Sequence, residues 1–251
     1  VAIEKTEALV LRTTDYSNTS LIVSMYTRDF GRVEVIAKGA RRETSPYHAV
    51  LDLANRVQAV FYRHTHGQIH TLSECSLIDD YYGLRQDLFR FYAGSHVLEL
   101  LSGLTAAEDT NPELFELAAT GMEALSAGPE PGGSLLVFQT DLLRILGYLP
   151  VFFECASCGK DVLSARRVIF SPVKGGALCG GCARGISDGF GIAGALLKKL
   201  RDLSDLTPDR ADAADLNAGD RKNLQLVLMR YFSCLFEREL RTAKFVLGTA
   251  R

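Results

Sequence analysis

With 251 residues, 47% hydrophobic and 23% charged, the chain has the composition of a folded globular protein with one large domain or two small ones, which excludes a disordered or fibrous polypeptide. The formal net charge of -2 conceals a segregation: residues 80 to 150 carry ten acidic and three basic side chains, whereas residues 151 to 251 carry sixteen basic and eleven acidic. No apolar run approaches the length of a membrane span, and Val1 to Lys5 lacks the basic-then-apolar layout of a signal peptide, so a cytoplasmic protein without membrane attachment is expected.

Residues 7 to 78 read as β structure. Glu7 to Thr14, Ser20 to Thr27 and Arg32 to Ala40 are rich in Val, Ile, Leu and Thr, with turns at Asp15 to Asn18 and Arg28 to Gly31. After a loop at Glu43 to His48, Arg56 to Arg63 and Gln68 to Ser76 form a second hairpin around Gly67. Five short strands with one longer connection after the third suit a small closed barrel of the OB type, and an SH3-like barrel fits the strand count nearly as well.

From Asp79 the apolar period becomes helical. Tyr81, Leu84, Leu88, Phe91, then Val97, Leu98 and Leu101 recur at helical spacing, and Asn111-Pro112-Glu113 offers a cap, an N1 proline and a first-turn acid to the next helix. A third helix is expected from Ser134 to Gly147, behind the breaker Gly128 to Gly133, and two more over Ala193 to Leu203 and Gly219 to Leu240.

Between these helices stand Cys155-Ala-Ser-Cys158 and, twenty residues on, Cys179-Gly-Gly-Cys182. Two C-x-x-C hooks at this distance are what a tetrahedral four-thiolate zinc site needs, and four protein sulfurs leave no position for water, so one structural zinc per chain is expected. Neither hook follows a strand of a thioredoxin-like pattern, which argues against a redox pair. Cys75 and Cys234 lie in apolar surroundings and read as free core thiols. No phosphate-binding loop, nucleophile elbow or H-E-x-x-H helix occurs, so no enzymatic activity is expected.

Several stretches carry a family resemblance: Ala8 to Arg12, Asp15-Tyr16-Ser17, Tyr26-Thr27, Gly31, Ala37-Lys-Gly-Ala-Arg-Arg42, Leu146-Gly-Tyr148 leading to the first hook, and Phe170-Ser-Pro172 leading through Gly175-Gly176 to the second. Over nearly its whole length the chain resembles the RecO DNA-repair and recombination-mediator proteins of bacteria. The resemblance implies a multi-domain α+β protein. Its N-terminal five-stranded OB-fold barrel (1–78) binds nucleic acid, and its C-terminal helical bundle (79–149 and 191–251) holds an inserted zinc module (150–190). It further implies binding of single- and double-stranded DNA, annealing of complementary strands, and recombinase loading together with the protein partner RecR on DNA coated by single-strand-binding protein. Asn18 departs from the acid frequent in the family after Tyr-Ser, and Leu53-Ala-Asn55 from a proline-containing turn; neither position supplies positive charge.

Phosphates require cations on a common surface. Arg28, Arg32, Lys38, Arg41 and Arg42 in the barrel, with Tyr16, Phe30 and Tyr47 nearby for base stacking, are the first candidate set. Arg166, Arg167, Lys174 and Arg184 around the zinc module are the second, with Arg221 and Lys222 opening the last helix. The solvated-face reading competes at every one of these positions. His64, His66 and His70 lack ligand spacing and are given no role. Two other functions fit the residues: an RNA-binding OB protein, and a zinc-stapled scaffold that binds only proteins.

Overall fold

The computed structural model describes residues 2–64 and 69–249, which leaves Gly67, Gln68 and His66 of the expected hairpin outside the described residues. Two compact units, Val1–Ala127 and Gly128–Arg251, make up the chain. The boundary falls within the stretch 79–149 that the sequence reading gave to one bundle.

The first unit begins with a closed barrel of β1 (Ala2–Asp15), β2 (Leu21–Thr27), β3 (Gly31–Ala37), β4 (Arg56–Arg63) and β5 (Ile69–Asp79), in the order β1-β2-β3-β5-β4. Strand β4 returns to β1, and β3 meets β5 in parallel from Glu34↔Ile69 to Ile36↔Thr71, which is the closure of an OB fold. β1 starts five residues before the expected Glu7 because one strand must serve two neighbours. Its first half pairs with β4, Ala2↔Arg63 to Leu9↔Arg56, and its second half with β2, with an irregularity between Val10 and Arg12 where the strand bends. Period-2 alternation sends Val33, Val35 and Ala37 inward beside Val57, Ala59 and Phe61, so valines and alanines pack around one buried ring.

Helices α1 (Leu88–Leu104) and α2 (Pro112–Ala127) follow a short 3-10 turn at Tyr82–Arg85. The Asp87 carboxylate accepts the Arg90 N–H, and the Asn111 side chain accepts the Leu114 N–H at 3.0 Å ahead of Pro112, so both starts are capped as these residue types allow. Both helices share the barrel's unit. Tyr26 of β2 stacks on Phe115 of α2 with ring centroids 6.5 Å apart, and the Glu108 N–H donates to the Arg32 carbonyl at 2.9 Å. Gly31, at φ +62, lies where a β-carbon would stand 2.1 Å from the Asp109 carbonyl oxygen, so glycine is what lets the α1–α2 loop close on the β2–β3 turn.

The second unit holds α3 (Pro131–Ile145), a sheet of β6 (Arg167–Ser171), β7 (Gly176–Leu178) and β8 (Phe190–Ala193) in the order β7-β6-β8, then α4 (Gly194–Leu203), α5 (Ala218–Leu235) and α6 (Ala243–Thr249). α3 starts at Pro131, inside the expected breaker. Proline at the first turn costs no hydrogen bond, and Gly133 admits Ala211 of a 3-10 turn so closely that an added β-carbon would meet its Cβ at 3.2 Å. α5 ends at Leu235 rather than Leu240, with Glu237 in the left-handed region at φ 53. Its start carries a full capping box between Asn217 and Asp220. Among the described residues no helix is long and apolar enough to cross a membrane.

Candidate nucleic-acid interface and metal centre

The four hook cysteines converge. Their sulfurs all lie within 4.8 Å of one another, and Cys158 and Cys179 are 3.7 Å apart. Four sulfurs at about 2.3 Å from one metal stand about 3.8 Å apart, so the donor set fits a tetrahedral thiophilic ion. The local fold aims them. The Cys155 carbonyl accepts the Gly159 N–H at 2.8 Å, closing the first hook, and the Cys179 carbonyl accepts the Ala183 N–H at 2.9 Å, closing the second. The Cys179 N–H donates to the Cys155 sulfur at 3.3 Å. Burial pushes the Cys155 thiol up, but backbone N–H groups of Cys179, Ser157 and Cys158 outweigh it and bring the thiol down to about 6. A sulfur so surrounded is prepared to be a thiolate ligand. Cys75 and Cys234 are free thiols, and burial pushes Cys75 up to about 12.

Aromatic side chains gather around the hooks as well. Phe152 and Phe170 are buried and stack at 5.7 Å, Phe170 also meets Phe190, and its ring lies edge-on to Tyr231 of α5 at 6.0 Å. The module thus has an aromatic core besides its sulfurs.

The five basic residues proposed in the barrel separate into two groups. Arg28 turns towards α2: Nη2 lies 2.7 Å from Glu116, Nη1 3.5 Å from Glu7, and the guanidinium covers the Phe115 ring at 5.2 Å. Arg32 donates from Nε to the Thr105 carbonyl at 3.3 Å. Arg41 pairs with Asp15 at 3.1 Å and donates to the Ser17 carbonyl at 2.9 Å. These three side chains are engaged within the protein. Lys38 and Arg42, on the turn after β3, are exposed and make no ion pair or side-chain hydrogen bond among the described residues.

Of the stacking candidates, only Tyr16 stands free, 59% exposed. Phe30 packs edge-on to Phe61 at 5.7 Å under the Arg63 guanidinium, and the Tyr47 hydroxyl donates to the Ser73 carbonyl at 2.8 Å, so both support the barrel. His70 is buried and stacked on Phe61, its Nδ1 accepting the His64 N–H at 3.3 Å, and burial lowers its pKa; a packing histidine is what this geometry describes.

Around the cysteine module Arg166, Arg167, Lys174 and Arg184 are all exposed. Arg167 lies across Gly191, where a β-carbon would fall 2.3 Å from its Nε. Arg221 is tied to Glu130 at 3.2 Å and to the Leu216 carbonyl at 2.8 Å, so it braces the start of α5.

The sequence reading placed Asp15 and Ser17 in a turn and in a stretch of family resemblance, and gave neither a partner. Their contacts with Arg41 span 24 residues in the Ser17 case, and only the antiparallel return of β2 and β3 brings the two turns together.

Family models match almost all of this chain. Recombination protein O N terminal covers residues 2–81 and Recombination protein O C terminal covers residues 85–244. A DNA repair protein RecO from Rhodopirellula baltica is 33% identical over 232 residues, 91% of this chain and 86% of the relative. One from Bacillus mycoides is 29% identical over 97% of this chain and 96% of the relative, and one from a Roseiflexus species 30% identical over 96% and 84%.

Proposed function

Since the chain belongs to the RecO family of DNA repair and recombination proteins, we propose that it is a non-catalytic mediator that binds single- and double-stranded DNA, anneals complementary strands and helps load recombinase. Annealing requires no covalent chemistry. It requires cations that lower the repulsion between two phosphate backbones while leaving base edges free to pair.

The observation that carries this reading is the pair Lys38 and Arg42, two unengaged cations on the turn that ends β3, with exposed Tyr16 on the β1–β2 turn. An OB barrel with a cationic rim and a ring for stacking suits a single strand without sequence preference. Arg166, Arg167, Lys174 and Arg184 are the second proposed contact set, suited to a second strand or a duplex. The barrel (1–78) is assigned the nucleic acid, the helical segments (79–149 and 191–251) complete the fold around the module, and RecR and single-strand-binding protein are the proposed protein partners. In the module at 150–190, zinc would be held by Cys155, Cys158, Cys179 and Cys182; it would supply only a covalent-like clamp, since four thiolates fill its coordination shell. The cytoplasm, where thiols stay reduced, is the compartment this chemistry suits.

The test is fluorescence anisotropy with a labelled single strand at several salt concentrations. Replacing Lys38 and Arg42 together with alanine should weaken binding and flatten the log-log salt dependence by about 1.4, at roughly 0.7 per phosphate contact. A folded double mutant with unaltered affinity and slope removes this turn from the site. Tighter binding of a matched RNA than of DNA would favour an RNA-binding protein.

A further inference from the structure

Three cations lie within five residues, Lys38 to Arg42, yet only one of them is bound inside the protein. Gly39, at φ +74, turns the chain out of β3, and the next residue, Ala40, places its methyl in the barrel core. With Ala40 pinned, Arg41 reaches across to the turn between β1 and β2. Its N–H donates to the Thr19 carbonyl at 3.0 Å, Nη1 to the Ser17 carbonyl at 2.9 Å, and Nη2 lies 3.1 Å from the Asp15 carboxylate. One residue therefore satisfies three acceptors of one turn. Lys38 and Arg42 flank it, and the Arg42 side chain folds back over Gly39, where an added β-carbon would meet its Cδ at 3.7 Å.

We infer that Asp15 and Arg41 form a latch between the β1–β2 turn and the turn after β3, which holds Lys38, Arg42 and Tyr16 in the arrangement that grips a nucleic-acid strand, and that Arg41 itself takes no phosphate. This deepens the DNA-binding reading and rests on it.

The Asp15 carboxylate compensates the Arg41 charge, and the two contacts hold the guanidinium in one orientation, so its remaining N–H groups would meet a phosphate only against the field of that carboxylate. An exposed ion pair adds little to fold stability, but it ties two turns together before binding, and that ordering would otherwise be charged to the complex. The carboxylate makes the inference falsifiable by direction. Asp15 carries negative charge beside a site for a polyanion, so electrostatics alone says that removing it tightens binding. A latch says the opposite.

Four full-length variants separate these outcomes: Asp15→Asn, Arg41→Gln, Lys38→Ala and Arg42→Ala, each checked for folding by circular dichroism and titrated with a labelled oligothymidylate at several salt concentrations. Asp15→Asn and Arg41→Gln should each weaken binding about fivefold with the salt slope unchanged, because contacts are misplaced and not lost. Lys38→Ala and Arg42→Ala should each flatten the slope by about 0.7. The swap Asp15→Arg with Arg41→Asp should restore affinity. Tighter binding by Asp15→Asn, or a flattened slope in Arg41→Gln, would overturn the latch and make Arg41 a phosphate ligand.

Hydrogen exchange without DNA tests the latch independently of the binding reading. The Arg41 amide, bonded to Thr19, should exchange faster in Asp15→Asn; unchanged exchange there overturns the inference even if DNA binds. Faster exchange combined with no response of affinity or slope to Lys38→Ala and Arg42→Ala would leave the latch standing and dismiss the turn as a DNA site.

Discussion

The barrel and the cysteine module hold themselves together by different means. In the barrel every strand has a partner on both sides, and Phe61, Met25, Val33, Val35 and Val57 fill a buried core. The module's strands are five, three and four residues long, and its buried side chains are chiefly Phe152, Val162, Val168, Phe170 and Leu178. So small a sheet has little apolar area to set against the chain entropy of its long irregular segments, and four thiolates converge where further side chains would otherwise be needed. The contrast shows that apolar closure suffices when strands are long enough to surround a core. Below that size the converging cysteines fit a metal that would take its place.

If the proposed zinc is bound, the contrast is broken most readily by removing it. Chelation, or replacement of Cys158 and Cys179 by serine, should remove on the order of 10 kcal/mol of binding free energy from the module. Hydrogen exchange followed by mass spectrometry should then show the hooks at 155–158 and 179–182 losing protection while β1 to β5 keep theirs. Equal loss in the barrel would mean that the two regions share one cooperative transition.

A smaller effect comes from the two phenylalanine centres. Phe61→Ala and Phe170→Ala each delete a fully buried ring and should each cost about 4 kcal/mol. In urea titrations of the metal-loaded protein, the first should shift the barrel's transition and the second the module's. If Phe170→Ala leaves the module's midpoint unmoved, the sulfurs alone hold it.

The smallest expected effect is a pH dependence confined to the first unit. His96 on α1 is fully buried, and burial lowers its pKa from the ordinary 6.5 to about 4, with Glu99 opposing. Below pH 6.5 the unfolded chain binds a proton that the folded one refuses, so stability falls as pH drops towards 4 and levels off beneath it. The full difference is about 3 kcal/mol. Thermal melts from pH 7 to pH 4 should show this slope in the wild type and lose that portion of it in His96→Leu. No difference between the two would place the acid sensitivity elsewhere.

Much of this architecture was legible in the residues. Two C-x-x-C hooks announce a metal site because the chemistry depends on local spacing, and the barrel strands are visible because burial on one face imposes a period of two. Asn111-Pro112 marked a helix start for the same reason: a cap is satisfied within four residues. What stayed hidden depends on contacts distant in sequence. A run of arginines looks uniform along the chain, since charge carries no record of where its partner lies.

The sequence by itself determined the strand order of local hairpins, the two cysteine hooks and the helical stretches, each set by interactions among near neighbours. Only the tertiary structure decided that Arg28 belongs to Glu116 and Phe115, that Arg41 belongs to Asp15, and that Lys38 and Arg42 are left unengaged. It also decided that Gly132 and Gly133 lie within a helix, because the room that Ala211 needs beside Gly133 is a property of packing. The physical reason is common to all of these. Backbone propensity and hook spacing act over a few residues, whereas ion pairs and close approaches are selected by the closure of the barrel and the packing of helices, which bring together residues that the chain separates by dozens.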